Sequence, residues 1–184
     1  MVCIKSILTL GLVAGSTAVA LPKNDTLPGC GEVNVFYTGL PPYHKYVLEQ
    51  GYPGDEAAGA IKNSTRELIN AGYNVRHTVF LAGPEQPMSV TEDRMKGRHW
   101  HITGVGYCVR GSTNGEVITK FEDNLMLFRR QGPSSPTVFN YNPWTFLWSV
   151  QRRAPLSSDC AGQPGTDYGY EEVCGEGWCS NPTK

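Results

Sequence analysis

Short apolar runs alternate with longer amphipathic stretches along the chain. "EVNVFYTGL", residues 32–40, is rich in β-branched and aromatic residues and is stopped by Gly39 and the Pro41-Pro42 pair; it predicts a buried strand. From Asp55 to Ala71, Ala57, Ala58, Ile61, Leu68 and Ile69 recur at helical spacing, and Gly72 closes the segment. "YNVRHTVFLAG", residues 73–83, predicts a second strand, and Ser89 with Glu92 forms a capping-box pattern for a short helix through about Lys96. "HWHITGVGY", residues 99–107, predicts a third strand. Thr113 with Glu116 then caps a helix whose stripe is Val117, Ile118, Phe121, Leu125 and Phe128. "TVFNYN", residues 137–142, predicts a fourth strand, and Asn142-Pro143 supplies an N-cap and first helical position for "WTFLWSVQRR".

No hairpin signal joins any two strands, and each is followed by a helix. Parallel strands need such crossovers, so the order predicts a three-layer, doubly wound α/β sheet of about four parallel strands in the flavodoxin-like order 2-1-3-4. Beyond Pro155 the composition turns to Gly, Ser, Asp and Cys without periodicity. Residues 156–184 are therefore expected to form an irregular extension pinned by disulfides, following a domain over residues 33–155 and an N-terminal arm over 21–32.

Three stretches carry a family likeness: "YPGDEAAGAIKNSTRELINAGYNV", "GVGYCVRG" and "FEDNLMLFRRQGPSSPTVFNYNPW", the last followed by "QRRAP". With them, residues 33–155 resemble a group of small flavodoxin-like (Rossmann-like) proteins of bacteria and fungi. The resemblance implies the fold and carries no activity. The chain departs from that group in its N-terminal leader, its Cys-rich tail and the Tyr107-Cys108 pair within the turn, departures that imply a secreted version.

The leader places Lys5 before an apolar run from Ile7 to Val19 and ends in Ala18-Val19-Ala20, so it predicts a secretory signal peptide over residues 1–20. Its apolar core is too short to span a bilayer, and no later segment reaches the length a membrane helix needs, so no membrane association is expected. Removing Lys5 from the 16 basic residues leaves 15 against 17 acidic, a net charge of −2 on the remaining 164 of 184 residues. That balance has no basic footprint for nucleic acid. Secretion favours disulfides, and five cysteines remain after the leader. Cys108 lies within the apolar body and reads as the odd one; Cys30, Cys160, Cys174 and Cys179 form two bridges of open pairing. Asn24 and Asn63 each head an N-glycosylation sequon.

In such sheets ligands bind beyond the carboxyl ends of the strands, where crossovers diverge. The loops expected there carry Tyr43, His44, Gly104, Gly106, Arg110, Asn140, Asn142 and Trp144, a set suited to a small polar or anionic ligand with Arg110 as the anion contact. An extracellular protein is the other partner class, which for a fungal chain fits a host- or environment-facing effector. No nucleotide cofactor is expected: Val109 stands where a dinucleotide fingerprint needs glycine, and no Walker pattern occurs. A cysteine-dependent hydrolase using Cys108 with His44 is the alternative, against a packed, inert thiol. His99 and His101 share one face of the third strand without an evident third ligand, His77 joining them only if register agreed, so no metal site is assigned.

Overall fold

A computed structural model describes residues 26–80 and 86–174. The leader, the Asn24 sequon, Cys179 and the end of the predicted second strand lie outside the described residues.

The core of the fold is one parallel sheet. β1 (Asn34–Gly39) lies at its centre, flanked by β2 (Asn74–Phe80) and β3 (Ile102–Val105), with β4 (Thr137–Phe139) beyond β3. A fifth strand, β5 (Asp167–Val173), pairs in parallel with the free edge of β2 and makes the order 5-2-1-3-4. The expectation of about four strands and an irregular tail is thereby corrected: part of the tail belongs to the sheet.

Alternation along β1 sends side chains to two separate cores. Val35 and Tyr37 join Leu68 of α2 (Gly54–Asn70) and Phe146 and Val150 of α6 (Phe146–Gln151). Phe36 points the other way, into a core with Met95 of α3 (Met88–Met95) and Val117, Leu127 and Phe128 of α5 (Gly115–Gln131). Both faces of the sheet are therefore covered, which is why its strands read as continuous apolar runs. Two short helices were absent from the sequence reading, α1 (Lys45–Leu48) and α4 (Tyr107–Arg110), each following a strand too closely for periodicity to register it.

Local chemistry at the helix starts differs from the capping patterns in the sequence. Asn114, not Thr113, caps α5, its Oδ1 accepting the Glu116 backbone N–H at 2.9 Å. Pro87 precedes α3 with no side-chain cap, so the Ser89–Glu92 pattern is unused. Asn142 closes a turn instead of starting α6: its Oδ1 accepts from the Trp144 N–H at 3.0 Å, and the helix begins at Phe146.

Disulfides and polar ties hold the tail. At the amino end of the sheet, Cys30 is bonded to Cys160 with their Cα atoms 5.6 Å apart, and the bridge lies against Gly72. Gly72 has φ +94°, and a Cβ there would meet Cys160 Sγ at 2.5 Å, so both backbone angle and space require glycine. Cys174 is also disulfide-bonded, its partner lying outside the described residues. Along β5, Glu171 takes Arg76 Nη2 at 2.6 Å and Arg94 Nη2 at 2.8 Å, tying the edge strand to β2 and α3. Asn74 adds a third tie at the strand starts, accepting the Thr166 N–H and donating to Asn34 Oδ1.

The bridge closes a span of 130 residues, so it restricts the unfolded chain strongly. Replacing Cys30 and Cys160 together with serine is expected to lower unfolding free energy by about 2–4 kcal/mol in a urea titration; an unchanged midpoint would mean that the bridge adds nothing. Glu171 gives a second, pH-dependent prediction. Arg94 foremost, and Arg76 with it, hold its carboxyl below the usual value of 4.5. A depressed folded-state pKa contributes stability above the unfolded value, and that contribution is lost as pH falls through the folded one. The side chain is one-third exposed, so Glu171→Gln should cost only about 1 kcal/mol at neutral pH. The difference between wild type and variant should shrink below about pH 4.5. A gap that persists in acid would refute the ion-pair account.

Candidate functional site

At the carboxyl ends of β1, β2 and β3, and just past β4, the chain encloses a cavity of about 40 Å³. Its walls are mostly apolar, with Leu40 and Pro42 after β1, Ala57 and Ile61 from α2, Val79 from β2 and Phe146 from α6. His77, Tyr107, Cys108 and Asn140 supply the polar atoms. A space of this size accommodates a group of a few heavy atoms.

Tyr37 organises the floor. Its ring stacks on Phe146 with centroids 4.2 Å apart and planes 10° from parallel. On the other side it lies over Gly104, where any Cβ would run into the ring. Gly104 sits inside β3 and makes room for Tyr37, whereas Gly106 borders the cavity and donates its N–H to the Thr38 carbonyl at 2.8 Å. The Tyr37 hydroxyl receives the Asn140 backbone N–H and contacts Ser149 Oγ at 3.4 Å. The Ser149 proton goes to the Phe146 carbonyl at 2.7 Å, so the tyrosine is the donor in that pair. Burial pushes the Tyr37 hydroxyl far above its ordinary pKa, so it stays protonated.

The residues expected at the site separate into three groups. Gly106, Cys108 and Asn140 border the cavity. Trp144 stands outside it, half exposed, with Tyr52 edge-on at 6.3 Å and Tyr52 in turn edge-on to Tyr107 at 6.0 Å. The others are held elsewhere. Tyr43 packs on Gly54 and donates to Asp55, which raises its pKa. Asn142 is occupied by its turn and by Asn140 Nδ2, which donates to the Asn142 carbonyl at 2.7 Å. Arg110 is exposed, its Nη2 3.4 Å from the Asn140 carbonyl and its guanidinium 5.3 Å from the Tyr107 ring centre. It is not among the residues that border the cavity.

His44 is buried and caps α1, its Nδ1 accepting the Tyr46 N–H at 3.3 Å. Cys108 is free of any disulfide, as its place in the apolar body predicted. Burial alone pushes its thiol up to about 11, opposite to the shift a nucleophile needs. His77 was weighed in the sequence only as a metal ligand beside His99 and His101. It lies apart from them, paired with Tyr37, while His101 sits at the start of β1 with Nδ1 accepting the Asn34 N–H at 3.0 Å. Among the described residues no group of three His, Cys, Asp or Glu side chains is placed to hold a metal ion.

His77 is a candidate to which sequence reasoning gave no role at the crevice. It is fully buried among Tyr37, Phe146 and Tyr170, and burial lowers its pKa to about 3, so the ring is neutral. One signal pointed to it: a lone histidine amid β-branched and aromatic residues in the middle of a buried strand. Asn63, the second sequon, faces solvent on α2, its Oδ1 accepting from Arg66 at 2.7 Å. No protein-family model, curated protein or solved structure matches this chain.

The buried thiol makes a direct prediction. With its pKa at about 11 against an ordinary 9.0, the thiolate population of Cys108 at neutral pH should be about a hundredfold below that of an unfolded thiol. Maleimide labelling of native protein at pH 7 is expected to run slower than labelling in urea by at least that factor. Equal rates would restore Cys108 as a reactive group.

Proposed function

We propose that this chain is a secreted α/β binding protein, a fungal effector or similar extracellular factor, that takes a small ligand into the crevice at the carboxyl ends of its strands. The observation that carries the reading is the coincidence of the cavity with the ends of the first four strands, where a parallel sheet of this kind holds its ligands. Secretion is supported by the leader pattern and by the Cys30–Cys160 bridge, since such bridges persist in oxidising compartments. A binding role without chemistry is supported by the groups that border the cavity: a neutral imidazole, a thiol held protonated by burial and an amide. Binding in place of hydrolysis also accords with His44, whose Nδ1 is committed to the α1 backbone.

Two measurements test this. Expressed with its leader in a eukaryotic host, the protein should appear in the medium with Leu21 as its first residue. Small neutral fragments titrated into isotope-labelled protein should shift the backbone resonances of Val79, Gly106 and Asn140. Ala57→Leu, which fills the cavity at a stability cost of about 1–3 kcal/mol, should abolish those shifts, and Arg110→Ala should leave them. Fragments that map to another surface, or that ignore Ala57→Leu, would remove the crevice from consideration.

A further inference from the structure

Two side chains that border the cavity, Asn140 and His77, each carry a hydrogen-bond acceptor without a partner among the described residues. Asn140 is fully buried, and its Nδ2 donates to the Asn142 carbonyl at 2.7 Å. That bond fixes the amide, because turning it over would set Oδ1 against another oxygen. Oδ1 is left buried without a partner. Native proteins rarely leave such an atom unpaired, since it has given up water and gained nothing.

His77 supplies the second acceptor. The Thr65 hydroxyl has one proton, and it goes to the Ile61 carbonyl at 2.8 Å. The 2.9 Å contact between Thr65 Oγ1 and His77 Nδ1 must then run from ring to hydroxyl. This puts the imidazole proton on Nδ1 and a lone pair on Nε2. Among the described residues Nε2 has no hydrogen-bond partner, and His77 and Asn140 border the same cavity.

Two acceptors in an apolar pocket select by chemistry. A carboxylate or phosphate would bring more lone pairs against those already present, and Arg110 is not at the cavity wall to offset them. An ammonium group would enter a cavity with no acidic residue among the described residues that border it, and burying an unpaired charge is strongly unfavourable. What remains is a neutral group with two protons to give.

We propose that the crevice selects neutral ligands whose head-group donates two hydrogen bonds, the simplest being a primary carboxamide on a short apolar body, with Asn140 Oδ1 and His77 Nε2 as its two acceptors. The inference rests on the crevice being a binding site, and it replaces the anionic ligand that Arg110 led the sequence to predict. The apolar part of the ligand lies against Phe146, Val79 and Ile61.

Propionamide, N,N-dimethylpropionamide and propionate form the test set, titrated into isotope-labelled protein with the Asn140 side-chain amide and the His77 ring nitrogens observed. Propionamide should bind about tenfold more tightly than either of the others, the consequence of leaving a buried acceptor unpaired. Asn140→Leu should bring propionamide down to the level of its dimethyl analogue. The histidine nitrogen spectrum of the unliganded wild type gives a check that needs no variant: it should show His77 protonated at Nδ1 and bare at Nε2. A proton on Nε2 would overturn the proposal, as would equal binding of all three probes. Tighter binding of propionate would overturn the donor assignment while leaving the crevice as a site. Absence of any response at these residues, with small fragments also silent there, would remove both.

Discussion

The seating of Tyr37 is the constraint on which the rest of the crevice depends. Its ring is clamped between Gly104 of β3 and Phe146 of α6, and its hydroxyl joins the Asn140 backbone to Ser149. One side chain on the central strand therefore fixes the position of α6, the path of the chain after β4, and one side of the His77 ring. Gly104 follows from this, since any larger residue would displace the tyrosine. The glycine that looked like part of a ligand loop is thus a packing requirement one layer below it.

That seating also explains why the crevice is neutral. A phenol buried so fully does not ionise, and the imidazole beside it does not take a proton. With the Cys108 thiol also held protonated by burial, Tyr37, His77 and Cys108 are all uncharged at neutral pH. Charge is left outside, where Arg110 lies exposed. The ligand chemistry that survives is hydrogen bonding from inside an apolar wall, in which the position of one proton on one ring decides what is accepted.

Periodicity made the inner sheet legible, because strands buried on both faces read as apolar runs and the helices between them carry clear stripes. It could not show β5. "DYGYEEV" alternates poorly, Gly169 falls where the register against β2 shifts, and the strand is held as much by Glu171 with two arginines as by apolar contact. Capping patterns misplaced three helix starts: near α5 and α6 Asn, Ser and Thr compete for the same backbone donors, and sequence does not show which one wins, while α3 follows Pro87 with no side-chain cap at all. Topology correctly put the ends of the strands around a cavity, but the polar residues nearest in sequence were not all nearest in space. Tyr43 is bonded to Asp55 on α2, Arg110 to the Asn140 carbonyl and Asn142 within its own turn, whereas His77 reached the cavity from within a strand, where a lone histidine reads as core.

The tail matters to the crevice for the same reason that it was hard to read. Tyr170 on β5 stands edge-on to His77 at 5.6 Å and, with Tyr37 and Phe146, completes an aromatic enclosure around the ring. Without β5 that flank of His77 would face the uncovered edge of β2, and the burial that keeps the imidazole neutral would weaken. The register of β5 is set by Glu171 along its length and, upstream, by Cys160, which is bonded to Cys30 below the first strand. A bridge at the amino end of the sheet thus helps to determine a protonation state in the middle of β2. On this account the Cys-rich extension has a role beyond stabilising the domain: it closes the edge of the sheet that the crevice needs closed.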